Sequence, residues 1–271
     1  MKPTVIENPW RRLRAFTDAR IGLGRAGISL PTSELLAFQL SHAQARDAVH
    51  CPLDVPALCS ALAGVPALAA LGQPLELHSQ ASDRQTYLQR PDLGRRLDEA
   101  SRQLLIAQAI EQPSDLAIVI VDGLSSLAIQ QNAAPFLKAF LALLGEQVPD
   151  CQLAPVSIVR QGRVAIGDDI GALLNARAVL LLVGERPGLS SPDSLGLYLT
   201  WAPRPGLTDA ARNCISNVRP AGLPWAEAAH RALYLLREAQ RLQLSGVGLK
   251  DRSASAVIEH GASRRNFLVS E

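Results

Sequence analysis

Cysteine is scarce in this chain: the 271 residues hold four, Cys51, Cys59, Cys151 and Cys214, and no two form a C-x-x-C pair. That excludes the common zinc-ribbon and thioredoxin-like spacings, and a chain of this length does not depend on a disulfide framework, so a reducing cytoplasm is the expected compartment. Aromatic residues make up only 4%, too few for the stacking platforms of single-stranded nucleic-acid binders. A net charge of +2 gives no concentrated basic patch, and nucleic acid is not expected as a partner. No apolar run approaches the roughly 20 residues of a membrane span, and the opening stretch from Met1 to Trp10 lacks the apolar core of a signal peptide. A Walker loop, an H-E-x-x-H pair and an EF-hand loop are missing too. Neither a membrane nor a resident metal is therefore expected.

What is present is ordinary globular material, 48% apolar and 19% charged. Its clearest feature is the unbroken apolar run at residues 178–183, which breaks at Gly184 and passes into Glu185-Arg186-Pro187-Gly188-Leu189-Ser190-Ser191-Pro192-Asp193. Such a run suits a strand buried on both faces at the centre of a parallel sheet. The loop after it would lie outside the carboxyl end of that strand, where ligands bind in open α/β sheets. Further strands are expected at residues 116–121, 156–159 and 196–201, and helices from about 126 to 144, 170 to 175 and 225 to 242. Alternating strand and helix with short connections predicts an α/β fold, with a doubly wound, mostly parallel, Rossmann-like sheet over residues 113–250.

Residues 1–112 read as a separate, mostly helical N-terminal lobe. Arginine-rich residues 9–26 carry Leu13, Phe16 and Ile21 at spacings that give a helix one apolar stripe. Gly22-Leu23-Gly24-Arg25-Ala26-Gly27 matches G-x-G-x-x-G letter for letter, but a dinucleotide fingerprint needs a strand before it and a helix opening within it. Here charged, helix-like residues precede and Ile28-Ser29-Leu30-Pro31 follows, so the glycines are expected to form a sharp loop. A second helix is expected over residues 32–50. His42 and His50 on it stand about 12 Å apart at ~1.5 Å per residue, too far to share one ion. A short helix at 55–63, a strand at 75–79 and a helix ending near Glu111 follow, and residues 251–271 read as a mobile C-terminal tail.

Three loops, 122–126, 184–193 and 212–217, should gather at the carboxyl edge of the sheet. They offer glycine amides, serine hydroxyls, Glu185 and Arg186, a set suited to hydrogen-bonding a large polar ligand. It suits independent catalysis poorly: Gly188-Leu189-Ser190-Ser191-Pro192 departs from G-x-S-x-G at its last position, and no histidine is near Ser190 or Cys214 in sequence. A stand-alone α/β ligand-binding or regulatory module, a hydrolase using Ser190 or Cys214, and loops that merely cap the sheet remain alternatives. A free Cys214 is equally readable as a small buried apolar residue.

Several blocks together are similar to the small (light) subunit of ethanolamine ammonia-lyase. They are residues 183–195 with Arg212-Asn213-Cys214-Ile215-Ser216-Asn217, Ala19 to Gly27, Tyr87 to Arg96, Val121-Asp122-Gly123-Leu124-Ser125 and Gly162-Arg163-Val164, in order from about Asn8 to Lys250. The resemblance implies a partner, a larger TIM-barrel subunit, within a higher-order hetero-oligomer. It implies adenosylcobalamin between the two subunits and the radical conversion of ethanolamine to acetaldehyde and ammonia. Carried over position by position, the cobalamin contacts fall on Val164, Glu185 and Cys214, in a cobalamin-contacting domain at 113–250. The resemblance puts the catalytic residues on the large subunit and none on this chain. D-x-H-x-x-G, the pattern by which a protein histidine replaces the lower base of cobalamin, is absent, so cobalt is expected to keep its own dimethylbenzimidazole. Some members of the family carry a long N-terminal extension that can direct them to a bacterial microcompartment; none precedes Asn8 here, which puts encapsulation in doubt, and the expected location is the cytoplasm, with a bacterial microcompartment as the alternative.

Overall fold

The computed structural model describes residues 5–108 and 112–253. After a 3-10 turn at Pro9–Ala15, the elements are α1 (Thr32–His50), α2 (Val55–Ala63), α3 (Pro66–Ala69), β1 (Leu75–His78), α4 (Arg84–Gln89) and α5 (Glu99–Ala107). Then come β2 (Ser114–Val121), α6 (Ser126–Gln147), β3 (Ser157–Arg160), α7 (Ile166–Leu173), β4 (Ala176–Gly184), β5 (Leu195–Trp201), β6 (Arg212–Val218) and α8 (Trp225–Leu242).

These strands form one six-stranded sheet in the order β1-β3-β2-β4-β5-β6. β2 and β4, the two continuous apolar runs, lie side by side at its centre in parallel. On one face Leu116, Ile118, Ile120, Leu180, Leu182, Leu197 and Leu199 pack with the buried side chains of α6 and α8. On the other, Ala117, Val119, Val121, Val179, Leu181 and Val183 pack with Leu105 of α5 and with Ile166 and Ile170 of α7. Burial on both faces, at about 1.5–3 kcal/mol for each fully buried Val, Leu or Ile, is why the pattern is a run and not an alternation. α6 is long and apolar enough to cross a membrane by length and composition, but Phe136, Leu137 and Phe140 are fully buried under it against the sheet, as in the core helix of a globular fold.

The α/β class is as expected, but the sheet is mixed. β1, β3, β2 and β4 are parallel, whereas β5 runs antiparallel to β4 and β6 antiparallel to β5. Only residues 185–194 separate β4 from β5, too few for the crossover that a parallel neighbour requires, so the chain turns straight back. Residues 212–217, expected as a loop, are instead most of the edge strand β6, whose buried Ile215 and Val218 are the apolar positions of an otherwise polar segment. β1 pairs in parallel with β3, so the first part of the chain contributes a strand to the same sheet.

The N-terminal stretch also differs from expectation. No helix spans residues 9–26: only the 3-10 turn forms, with no buried residue. A short apolar stripe without a surface to pack on does not hold a helix. The glycines after it take positive φ, Gly22 at 59°, Gly24 at 74° and Gly27 at 62°, within a loop bridged at Ile6–Arg25 and Ala26–Ser29. Neither strand nor dinucleotide-binding helix flanks them. α7 begins at Ile166, earlier than the expected residue 170. α5 ends at Ala107, and its expected end near Glu111 lies outside the described residues, as does the tail from residue 254 onward.

A candidate ligand cleft at the carboxyl edge

β2 and β4 end together, and the loops that leave them interlock. The Leu124 N–H donates to Gly184 O at 2.8 Å. The Ser125 hydroxyl donates to Pro192 O at 2.7 Å and accepts the Ala128 N–H at 3.2 Å, capping α6. The approach is too close for side chains: a Cβ at Gly184 would stand 2.0 Å from Ser125 O, and one at Gly123 2.3 Å from Gly184 O. From behind, the buried Asn132 of α6 donates to Asp193 O at 2.9 Å while accepting the Trp225 indole N–H at 3.0 Å. Loop 185–194 is therefore held by the core and not by solvent.

The turn between β3 and α7 is tied to the same place. Buried Asp122 accepts from the backbone N–H groups of Gln161 at 2.8 Å and Gly162 at 3.2 Å. Burial pushes its carboxyl up to about 6, against the opposing pull of those hydrogen bonds and of Arg84 at 4.0 Å. Arg84 donates to Gly123 O at 2.7 Å and Val49 O at 2.6 Å, joining the end of α1 to the first loop. The Arg84 and Arg163 guanidinium groups lie 4.7 Å and 4.5 Å from the centre of the Tyr87 ring, both within cation–π range. Burial raises the Tyr87 phenol to about 12, the two cations pulling the other way.

These pieces enclose a cleft of about 400 Å³, lined by Tyr87, Gly123, Leu124, Arg163, Val164, Val183, Gly184, Glu185, Arg186 and Tyr198. Val164 and Glu185, far apart in sequence, thus meet on one surface. Cys214 is not among its walls; it sits on β6 directly opposite Tyr198 and carries the same surface outward. It is exposed, which corrects its reading as a buried apolar residue, because the face of β6 it occupies is uncovered there. Its Sγ lies 3.3 Å from the Ser216 hydroxyl. Burial, then the Cys214 thiol and the Glu185 carboxylate, raise the pKa of the Tyr198 phenol. Two of the three expected loops meet, and the third region arrives as a strand.

Tyr87, Arg163 and Tyr198 were not singled out from the sequence. Tyr198 had a signal: in Leu195-Gly196-Leu197-Tyr198-Leu199 it is the one large side chain out of phase with the leucines, so it must face the opposite side of the sheet from them. Tyr87 and Arg163 lie in blocks that carry the resemblance, but nothing in the sequence signals their stacking, which joins residues brought together only by tertiary structure.

The arrangement binds better than it reacts. Ser190 is exposed, and among the described residues Cys214 has no basic side chain within hydrogen-bond range and no group of three or more His, Cys, Asp or Glu side chains converges. A second hollow of about 220 Å³ lies at the amino-terminal end of the strands, lined by Asp115, Cys151, Arg177, Trp201 and Arg237 among others. Burial, and then the Asp115 carboxylate, push its Cys151 thiol up to about 11, which disfavours the thiolate.

The family model described as ethanolamine ammonia-lyase light chain (EutC) matches residues 7–250, which takes in every element around the cleft. The chain belongs to the ethanolamine ammonia-lyase light-chain family. Among its relatives, the ethanolamine ammonia-lyase small subunit of Ralstonia nicotianae is 56% identical over 269 residues, covering 98% of this chain and 96% of its own length. The small subunit of Azotobacter vinelandii is 56% identical over 270 residues, with 98% and 97% covered. That of Pseudomonas aeruginosa is 57% identical over 269 residues, with 97% and 95% covered. Ethanolamine ammonia-lyase is a lyase, and a small subunit implies a large-subunit partner in a hetero-oligomer.

Proposed function

We propose that the cleft is one wall of a corrinoid site, closed by the large subunit, and that the chain serves the conversion of ethanolamine to acetaldehyde and ammonia as the subunit that holds adenosylcobalamin in place. The observation that carries this reading is the convergence of Val164 and Glu185 on one braced surface that Tyr198 and Cys214 extend. The chemistry of the donors fits. A corrin presents primary amides around a broad apolar face, and here a carboxylate stands beside Val164, Val183, Leu124 and the Tyr198 ring. Among the described residues Glu185 Oε1 receives no hydrogen bond from the chain, so it is available to an amide N–H, and Val164 and Cys214 would touch the ring. When bound, the cofactor would supply the radical chemistry. This chain's residues bind, orient and exclude water; substrate and radical handling belong to the large subunit.

The same reading accounts for the N-terminal arm. Val5, Ile6, Trp10, Phe16, Ile28, Leu30, Leu36 and Leu40 are exposed, and α1 buries only Ala48 of its 19 residues. An exposed apolar surface of that density suits burial against a partner, and the cytoplasm suits four free thiols.

Reconstitution with the large subunit and titration with cobalamin, followed by visible absorption, tests the reading. Glu185→Gln is expected to weaken binding by about 1–3 kcal/mol, roughly fivefold to 150-fold. An unchanged dissociation constant would count against it. Binding of equal strength without the large subunit would favour a stand-alone ligand-binding module. Hydrolytic activity lost on Ser190→Ala or Cys214→Ala would favour a hydrolase.

A further inference from the structure

We propose that Ser194 and Gly196 are positioning residues for Glu185, and that with the Asn217 amide they aim a single carboxylate oxygen, Oε1, at a primary-amide N–H of the ligand. The proposal rests on the reading that Glu185 faces a corrinoid.

Glu185 is the first residue beyond β4, and its N–H donates to Ser194 O at 2.9 Å, extending the β4–β5 ladder by one step. The same two residues are joined again through their side chains: the Ser194 hydroxyl, itself buried, donates to Glu185 Oε2 at 2.5 Å. From the end of β6 the Asn217 N–H donates to that same oxygen at 3.2 Å. Two donors from two strands therefore occupy Oε2. The other oxygen lies over a position that only glycine leaves open, because a Cβ at Gly196 would stand 2.9 Å from Oε1 and 3.0 Å from Cγ. The carboxylate is fixed by hydrogen bonds on one side and by a missing side chain on the other. An acceptor fixed in advance loses little freedom on binding, and charged hydrogen bonds are roughly twice as strong as neutral ones. Ser194→Ala would let the carboxylate turn; Gly196→Ala would push it aside with its charge intact.

The test is a double-mutant cycle in the complex with the large subunit, with cyanocobalamin as the titrant, visible absorption as the readout, and thermal unfolding and gel filtration to establish folding and assembly. Ser194→Ala is expected to weaken binding about threefold to tenfold and Gly196→Ala about tenfold or more. Ser194→Thr, which keeps the hydroxyl, should return affinity to within about twofold of wild type. In a Glu185→Ala background neither substitution should weaken binding further, because each acts through the carboxylate. Wild-type affinity in Ser194→Ala, with Glu185→Ala weakened, overturns the proposal alone; so do single effects that persist at full size in the Glu185→Ala background. Wild-type affinity in Glu185→Ala overturns the corrinoid reading and the proposal with it. Should Gly196→Ala fail to assemble, the two Ser194 variants decide.

Discussion

The two faces of β5 and β6 are finished differently. On the back, Leu195, Leu197, Leu199 and Ile215 are buried in the core they share with α6 and α8. On the front, α7 reaches β6 only at its beginning, through the buried ion pair of Asp168 with Arg212, and beyond it Tyr198 is half-buried while Cys214 and Ser216 are exposed. The same backbone supports a completed core on one side and an open shelf on the other. Since the strands are shared, the difference lies wholly in what is laid over them, and the front is the side on which the cleft opens.

The comparison is broken most severely from the back. Leu197→Ala should cost about 2–5 kcal/mol in urea unfolding, the price of a cavity in a packed core; a loss under 1 kcal/mol would mean the back is less complete than it looks. Next comes the knot that braces the cleft. The folded Asp122 carboxyl takes up its proton at about 6, the unfolded one near 3.8, so between those values the folded state holds more protons and stability falls as pH rises. Relative to Asp122→Asn, the wild type should therefore gain about 2 kcal/mol on going from pH 7 to pH 4, where the unfolded carboxyl is itself partly protonated. Urea midpoints at the two pH values check this, and a difference that grows with pH contradicts it. Ser125→Ala removes the α6 cap and the bond to Pro192 O together, an expected loss of about 1 kcal/mol by thermal unfolding. Smallest of all, Cys214→Ala should change the stability of the chain by less than about 0.5 kcal/mol while still weakening cobalamin binding in the complex; a larger loss of stability would make the front face part of the core.

What could be read from the sequence follows the same division. The runs at 116–121 and 178–183 and the long amphipathic helices announced the closed core, because burial on both faces writes itself into composition. Val164 and Glu185 line one cleft, though nothing in their spacing required it. The antiparallel return of β5 was signalled only by the shortness of the 185–194 connection, and β6 was hidden because an edge strand with one uncovered face keeps few apolar residues: Cys214, Ser216 and Asn217 look like a loop. The expected helix at 9–26 does not form for the related reason that, among the described residues, nothing buries its apolar side chains. Ile28 puts that to use: Ile28→Ser should leave the stability of the isolated chain within about 0.5 kcal/mol of wild type, yet reduce co-purification with the large subunit.

A hydrogen bond joins the arm to the loop that carries Glu185. Arg20 donates from Nη2 to Leu189 O at 3.3 Å and to the Ser41 hydroxyl at 2.7 Å, with its guanidinium 5.7 Å from the centre of the Phe38 ring. The peptide group at Leu189 belongs to the loop that carries Glu185. On the proposed reading, a partner seated on the arm and a ligand held by the loop would act on neighbouring parts of one bonded unit, and any coupling between them would be reciprocal. By whatever factor assembly tightened the hold on the ligand, the ligand would tighten assembly by the same factor.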